Sequence, residues 1–113
     1  MTAPEVGEHD VERILRRDYP AAAHDDLRAA IDRLEVRFKL RVVMACLKNA
    51  AGDVAKLQGQ LADAPGYYRD IMWEAESPNE KKRWSRWEGL SAAERQAFAA
   101  EDRRQYEEWL HRA

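Results

Sequence analysis

Residues 21–51 read AAAHDDLRAAIDRLEVRFKLRVVMACLKNAA and contain neither glycine nor proline. Because these two residue types are the strongest signals that end a helix, the pattern predicts one continuous helix over this range. At 1.5 Å per residue, a helix of some thirty residues is about 45 Å long. We therefore expect it to be the scaffold on which the remaining helices pack.

The predicted scaffold helix is apolar on two opposite sides. One side carries Leu27, Ile31, Leu34, Phe38 and Val42, and the other carries Val36, Leu40, Val43 and Leu47. A helix of this kind has to be covered from both sides. It is therefore expected to run through the middle of a bundle or across the interface of a homodimer.

Helix signals also divide the rest of the chain, and no segment alternates with the period of a half-buried strand. A first helix has to end before Pro20, and Gly52-Asp53 supplies a C-cap and an N-cap after the scaffold helix. Pro65-Gly66 separates the next helix from an aromatic one. The sequence predicts an all-α fold, a five- or six-helix orthogonal bundle around one long central helix, in which residues 41–76 form a helix-turn-helix-like unit.

Two later segments have the pattern of a capping box, in which a serine and a glutamate three residues later bond to each other's backbone. Ser77-Pro78-Asn79-Glu80 predicts a fifth helix that ends near Gly89, and Ser91-Ala92-Ala93-Glu94 predicts a last helix that ends near His111. The large indoles of four tryptophans are expected to meet in one cluster that closes the C-terminal helices onto the scaffold. They are Trp73, Trp84, Trp87 and Trp109.

The length of 113 residues fits one domain, with a flexible tail over residues 1–7 and a single helical domain over residues 8–113. The 19 basic and 21 acidic residues give a net charge of −2, so no overall field drives the chain onto nucleic acid or an anionic membrane. The single cysteine excludes an intrachain disulfide, and Cys46 lies in an apolar run where we expect it to be buried. The chain has neither a signal-peptide pattern nor an apolar stretch of membrane-spanning length, which predicts a cytoplasmic protein without a membrane partner.

Exposed aromatic residues among acidic ones have the composition of a protein-interaction surface. The candidate partner surface combines the aromatic helix with the basic edge of the scaffold helix. Its residues are Tyr67, Tyr68, Trp73, Arg33, Arg37 and Arg41. The alternative for the three aromatic residues is a place in the core.

Basic and aromatic residues interleave in KKRWSRW, residues 81–87, a combination that binds phosphates and stacks bases. The candidate anion patch consists of Lys81, Lys82, Arg83 and Arg86. On a helix, however, Trp84 and Trp87 share one side, which is more typical of packing anchors. The alternative function is therefore a nucleic-acid-associated protein that uses this patch together with the basic edge, including Lys48.

The sequence contains no catalytic pattern. His9, His24 and His111 form no metal-binding pair, and no glycine-rich phosphate loop or serine nucleophile elbow occurs. Acidic pairs such as Glu101-Asp102 are of a kind common on protein surfaces. We expect no catalytic residue, no cofactor and no metal.

Three segments carry a resemblance to known proteins: LKNAAGDVAKL at residues 47–57, YRDIMWEAE at residues 68–76 and LSAAERQ at residues 90–96. Over residues 47–110 the chain resembles short all-helical bacterial proteins of unassigned function. In those proteins the middle segment ends in Ala-Glu-Tyr-Pro, where this chain has Ala75-Glu76-Ser77-Pro78. The resemblance implies a bacterial cytoplasmic origin and transfers no functional residue.

These patterns together predict a non-catalytic helical protein-interaction or assembly module of the bacterial cytoplasm. Its expected partner is a protein that the sequence does not identify, with a homodimer as one form of assembly.

Overall fold

The computed structural model describes residues 3–113, and the regular structure in that range is helical, with no β-strand. The elements are α1 Glu8–Asp18, a 3-10 turn Ala21–Ala23, α2 His24–Arg33, α3 Lys39–Ala50, α4 Val54–Glu76, α5 Pro78–Lys82, a 3-10 turn Trp84–Gly89 and α6 Ala92–His111. The all-α prediction is confirmed. None of these helices is both long enough and apolar enough to cross a membrane.

The prediction of a single helix over residues 21–51 is wrong. Residues 34–38 leave the helical conformation, since Leu34 is extended (φ −67°, ψ 124°) and Phe38 is left-handed (φ 56°, ψ 44°). The break changes the direction of the chain, so that Leu27 of α2 and Val42 of α3 reach one core from two separate helices. The break contains no glycine or proline, so the residue types that usually end a helix do not predict it.

Helix α3 is the centre of the fold. Residues 42–47 are all buried, so this part of the helix is covered on every side. Helices α1 and α4 pack against α3, and Tyr106 of α6 joins the same core. The prediction that both apolar faces are covered is right for Val43 and Leu47 but wrong for Leu40, which keeps 36% of its surface exposed. Helices of the same chain cover residues 42–47, so of the two apolar faces only Leu40 and Phe38 remain exposed to another molecule.

Helix α4 consists of two helical halves that meet at a kink, and the interruption that the sequence predicts at Pro65-Gly66 lies one residue later, at Tyr67 (φ −131°, ψ 22°). A proline inside a helix removes one backbone hydrogen bond and kinks the axis. The Asn49 side chain of α3 bridges the kink, because its Nδ2 donates to Gln60 Oε1 (3.2 Å) before it and to the Ile71 carbonyl (3.1 Å) after it. Both halves of α4 therefore stay in contact with α3.

Of the three predicted N-caps two are confirmed and one is wrong, and the C-cap of α3 is Ala51 where the sequence predicts Gly52. Asp53 caps α4 through its side chain, and the capping box of Ser91 opens α6. The Ser77 side chain makes no cap hydrogen bond, and α5 ends after five residues, at Lys82, well short of its predicted end. The start of α5 is bonded instead by the carboxylate of Asp102 in α6.

The turn between α3 and α4 lies directly against the end of α1. Ala51 (φ 49°) and Gly52 (φ 88°) both have positive φ, a conformation that costs an L-residue about 1–2 kcal/mol and glycine little. A Cβ on Gly52 would lie 2.8 Å from the carbonyl oxygen of Asp18. Glycine is therefore required at this position for two reasons: its φ is positive, and a Cβ would clash with the carbonyl oxygen of Asp18.

We predict that Gly52→Ala lowers the free energy of unfolding by at least about 2 kcal/mol, because the backbone strain and the clash with Asp18 add. Ala51→Gly is the matched control: it relieves a positive φ at the neighbouring residue without filling space, and we expect a change of no more than about 1 kcal/mol. Urea denaturation followed by circular dichroism measures both variants. If Gly52→Ala were as stable as the parent, the close contact between Gly52 and Asp18 described here would be contradicted.

Candidate functional site

The segment of residues 76–101 has no fully buried side chain. It includes α5, the second 3-10 turn and the first half of α6, and we call residues 78–101 the arm. The arm carries large apolar residues of the kind that normally lie in a core: Trp84, Trp87, Leu90 and Phe98. Trp84 has 57% of its surface exposed. The second half of α6, in contrast, is buried in the body of the protein through Tyr106 and Leu110.

The aromatic residues of the arm do not join the single tryptophan cluster that the sequence predicts. The Trp84 indole stands edge-on to Trp73 of α4, with 5.2 Å between ring centroids and an interplanar angle of 90°. Trp87 lies 6.2 Å from Phe98 within the arm, and Trp109 packs separately in the body. The cluster prediction is therefore wrong, because the indoles are divided between the arm and the body. The pair of Trp73 and Trp84 is where the arm meets α4.

One member of the predicted anion patch holds the arm together instead of facing outward. Arg83 Nη1 donates to Asn79 Oδ1 (2.7 Å), and its guanidinium carbon lies 4.2 Å from the centroid of the Phe98 ring. A guanidinium at this distance over a ring is a favourable cation–π contact. Arg83 thus joins α5 to α6 and is already engaged by its own chain.

The other three cations of the patch are exposed. Lys81 Nζ lies 3.9 Å from Glu74 Oε2, at the limit of an ion pair. Lys82 and Arg86 form no hydrogen bond or ion pair through their side chains with any described residue. They stand two residues before and two residues after Trp84, so the exposed indole has an unpaired cation on each side in the sequence.

Asp102 of α6 anchors the arm to the body. Its carboxylate accepts hydrogen bonds from the Asn79 backbone N–H (3.1 and 3.2 Å) and from Asn79 Nδ2 (2.7 Å), and only 1% of its surface is exposed. Burial raises the pKa of Asp102, while the hydrogen bonds from Asn79 and Glu80 and the charge of Lys48 act in the opposite direction. The assignment of Glu101-Asp102 to the surface is wrong for Asp102, because its partner is 23 residues away and no local pattern indicates the contact.

We predict that Asp102→Ala loosens the arm, because it removes the acceptor of the half-buried N–H donors of Asn79, a loss of about 1 kcal/mol or more. Amide hydrogen exchange in residues 79–90 should become about tenfold faster, measured by mass spectrometry. Asp102→Asn keeps one acceptor oxygen and should have a smaller effect. Unchanged exchange in the arm of Asp102→Ala would show that other contacts hold it.

The candidate partner surface predicted from the sequence is not assembled as one surface. Tyr67 is exposed at the kink of α4, Tyr68 is half-buried against the core, and Trp73 is half-buried beneath Trp84. The core alternative therefore applies in part to Tyr68 and Trp73. Trp73 is the member that connects to the arm, so the predicted partner surface and the predicted anion patch meet at the pair of Trp73 and Trp84.

The predicted basic edge is also dispersed, because the break between α2 and α3 separates its members. Arg33 is exposed at the end of α2, and Arg37 is exposed in the loop that follows. Arg41 Nε and Nη2 donate to the two carboxylate oxygens of Glu76 (2.8 and 2.6 Å), which joins the start of α3 to the end of α4. Lys48 is half-buried, and burial lowers its pKa. These cations form no continuous edge.

A groove of about 360 Å³ lies between α1, α2 and the start of α3. Its apolar lining consists of Val11, Leu15, Ile31, Leu40 and Val43, and its charged lining consists of Glu8, Glu12, Arg28, Asp32 and Lys39. Arg28 binds the two Glu12 carboxylate oxygens at 2.5 and 3.0 Å and so links α2 to α1. No sequence pattern indicates this groove, because the groove depends on the break that brings the start of α3 beside α1.

The ion pair at the groove makes stability depend on pH. The hydrogen bond from Arg28, assisted by Arg16, lowers the pKa of Glu12 from 4.5 to about 2. A pKa below the unfolded value means that the ionised pair stabilises the folded chain above pH 4.5, and that this contribution is lost as the pH falls toward 2. The pair therefore contributes to stability fully at neutral pH and progressively less in acid.

We predict that Glu12→Gln is less stable than the parent at neutral pH and that this difference shrinks as the pH is lowered from 4.5 to about 2. Urea midpoints measured across this range give the difference at each pH. Glu35→Gln, at an exposed loop residue without an ion pair, controls for the loss of one negative charge. A difference that stays constant with pH would contradict the role of the pair with Arg28.

The cysteine and histidine side chains do not share a site. Cys46 is buried, as predicted, and burial raises the pKa of its thiol to about 12. His24 Nε2 bonds to a backbone carbonyl (2.7 Å), while His9 and His111 are exposed. Within residues 3–113, no three His, Cys, Asp or Glu side chains are grouped so that they could hold a metal ion.

No protein-family model matches this chain, and no curated protein or solved structure matches it. The function of the chain has to be inferred from its own residues. The arm, with its exposed indole, and the groove, with its apolar lining, are the two features that invite such an inference.

Proposed function

We propose that this chain is a non-catalytic protein-interaction or assembly module of the bacterial cytoplasm, and that the arm is its contact surface. One observation carries the proposal: residues 76–101 have no fully buried side chain, although they include two tryptophans, a leucine and a phenylalanine. Burial of apolar surface contributes about 25 cal/mol per Å², and in the single chain Trp84 is exposed while Trp87, Leu90 and Phe98 are only half-buried, so part of that contribution is not made. Exposed apolar surface with a polar rim is typical of a site that another molecule covers.

The residue types of the arm favour a protein partner. Tryptophan and arginine are enriched among the residues that dominate binding energy in protein interfaces. Trp84 is exposed, and its edge-on contact with Trp73 restricts the movement of the indole. A side chain that is already held loses less conformational entropy when a partner covers it. Lys82 and Arg86 are unpaired on either side, so the partner is expected to be acidic where it meets the arm.

Several charged side chains are held by structural partners, which supports a non-catalytic role. Arg41 and Glu76 are paired with each other, and so are Glu12 and Arg28. Asp102 is buried as the cap of α5. Acid–base catalysis needs a group that is free to exchange a proton with a substrate, and these groups are held by structural partners.

Association with nucleic acid is the second candidate function, and one feature of the same surface favours it. The exposed Trp84 indole between Lys82 and Arg86 has the composition of a platform that stacks a base and contacts the adjoining phosphates. The carboxylates of Glu80 and Glu88 lie in the same segment and repel phosphates. We rank this function second for that reason.

The proposal predicts that a defined protein co-purifies with the tagged chain from bacterial cells, and that Trp84→Ala reduces its recovery at least about tenfold, since loss of a central tryptophan typically costs about 2 kcal/mol or more. Tyr67→Ala is the matched control, because Tyr67 is comparably exposed (62% against 57%) but lies at the kink of α4. Quantitative mass spectrometry of the recovered proteins measures the effect.

Equal recovery with Trp84→Ala and Tyr67→Ala would contradict the arm as the contact surface. Fluorescence anisotropy with a labelled single-stranded oligonucleotide examines the second candidate. Binding that weakens steeply with salt and is lost in Trp84→Ala would support nucleic-acid association in place of protein binding.

A further inference from the structure

We infer that the partner of the arm is a second copy of this chain, and that the arm of each copy docks in the groove between α1, α2 and α3 of the other. The inference rests on the proposed function, since it takes the arm as the contact surface, and it adds the identity of the partner and the site that receives the arm. The size of the groove, the charges at its edge and the position of the arm carry it.

The groove has the size and the lining that an indole needs. Its volume of about 360 Å³ lies within the range of about 300–1,000 Å³ that is usual for pockets that bury a small ligand. Leu15, Ile31 and Val43 line it as buried residues, and Leu40 lines it with 36% of its surface exposed. Docking of Trp84 here would cover two exposed large apolar residues in one contact, the indole itself and Leu40.

The groove carries unpaired negative charge. Glu12 and Arg28 pair with each other, whereas Lys39, whose Nζ lies 3.3 Å from the Asp32 backbone carbonyl, has no carboxylate partner among the described residues. The carboxylates of Glu8 and Asp32 form no ion pair within the described part of the chain. The lining has three acidic and two basic residues, so a side chain that enters the groove meets a net charge of −1.

The arm carries the complementary charges. Lys82 and Arg86 are exposed, unpaired, and placed on either side of Trp84 in the sequence. Glu80 and Glu88 lie in the same segment, but the four cations of residues 80–88 outnumber these two carboxylates, so a net positive segment meets a net negative groove. Such complementarity speeds association and disfavours other orientations.

The position of the arm favours docking between two copies. Within one chain Trp84 packs on Trp73 of α4, whereas the groove is formed by the first three helices. When each copy places its arm in the groove of the other, a two-fold axis relates the two contacts and the assembly closes as a dimer.

Sedimentation equilibrium of the full chain, at concentrations from about 1 to 500 μM, tests the inference. We expect an equilibrium between a monomer of 13.1 kDa and a dimer of twice that mass. Trp84→Ala should raise the dissociation constant of the dimer at least about tenfold. Tyr67→Ala, at an equally accessible residue of α4, should leave it unchanged.

Charge reversal tests the groove independently of the indole. Glu8→Lys with Asp32→Lys should weaken the dimer about tenfold, and so should Lys82→Glu with Arg86→Glu, because like charges then meet. Combining all four substitutions makes the charges opposite again and should restore most of the affinity. The four positions lie on the surface, and circular dichroism verifies that each variant is folded.

A chain that stays monomeric over the whole concentration range overturns the inference. So does a dimer that none of these variants weakens, or one that the fourfold reversal does not restore. The proposed function fails separately: if the chain is monomeric and a different protein still co-purifies in a Trp84-dependent manner, the arm remains a contact surface and only the second copy is lost as its partner.

Discussion

The buried side chains of α3, residues 42–47, have no access to water on any side of the helix, and the neighbouring helices are arranged around this constraint. A helix of this kind needs a partner on each face. The kink of α4 lets one helix contact α3 with both of its halves, which the Asn49 side chain connects. The Tyr19 hydroxyl donates to the Leu47 carbonyl (2.9 Å) and ties the end of α1 to the last turn of α3. Close backbone contact at Gly52 completes the junction.

Arg17 explains why the two halves of α6 differ. Its Nε and Nη2 donate to the two Asp18 carboxylate oxygens (2.8 and 2.9 Å), and its Nη1 donates to the carbonyls of Trp109 and Arg112 (2.8 and 2.7 Å). Carbonyls at the end of a helix lack helical donors, and a cation there also complements the helix dipole. Helix α6 is thus fixed at its end by Arg17 and near its middle by Asp102, while its first half has no buried side chain to hold it.

Features that depend on a few neighbouring residues could be predicted from the sequence. The helical class, the caps at Asp53 and Ser91 and the burial of Cys46 are of this kind. The break between α2 and α3 could not, because a left-handed Phe38 costs about 1–2 kcal/mol and is offset only by packing between distant parts of the chain. The buried role of Asp102 has the same origin. For the candidate site, the sequence shows the basic and aromatic composition of the arm. The exposure of the arm and the existence of the groove depend on the tertiary fold and could not be predicted.

The thiol of Cys46 is enclosed in the central helix and has a pKa of about 12, so an alkylating reagent reaches it only when the core opens. The rate at which the native chain consumes such a reagent therefore reports how often the core opens, without any label introduced into the chain. The same enclosure makes a cysteine introduced on the surface the only thiol that reacts quickly. A dye or a spin label can thus be attached at one chosen position without first removing the natural cysteine.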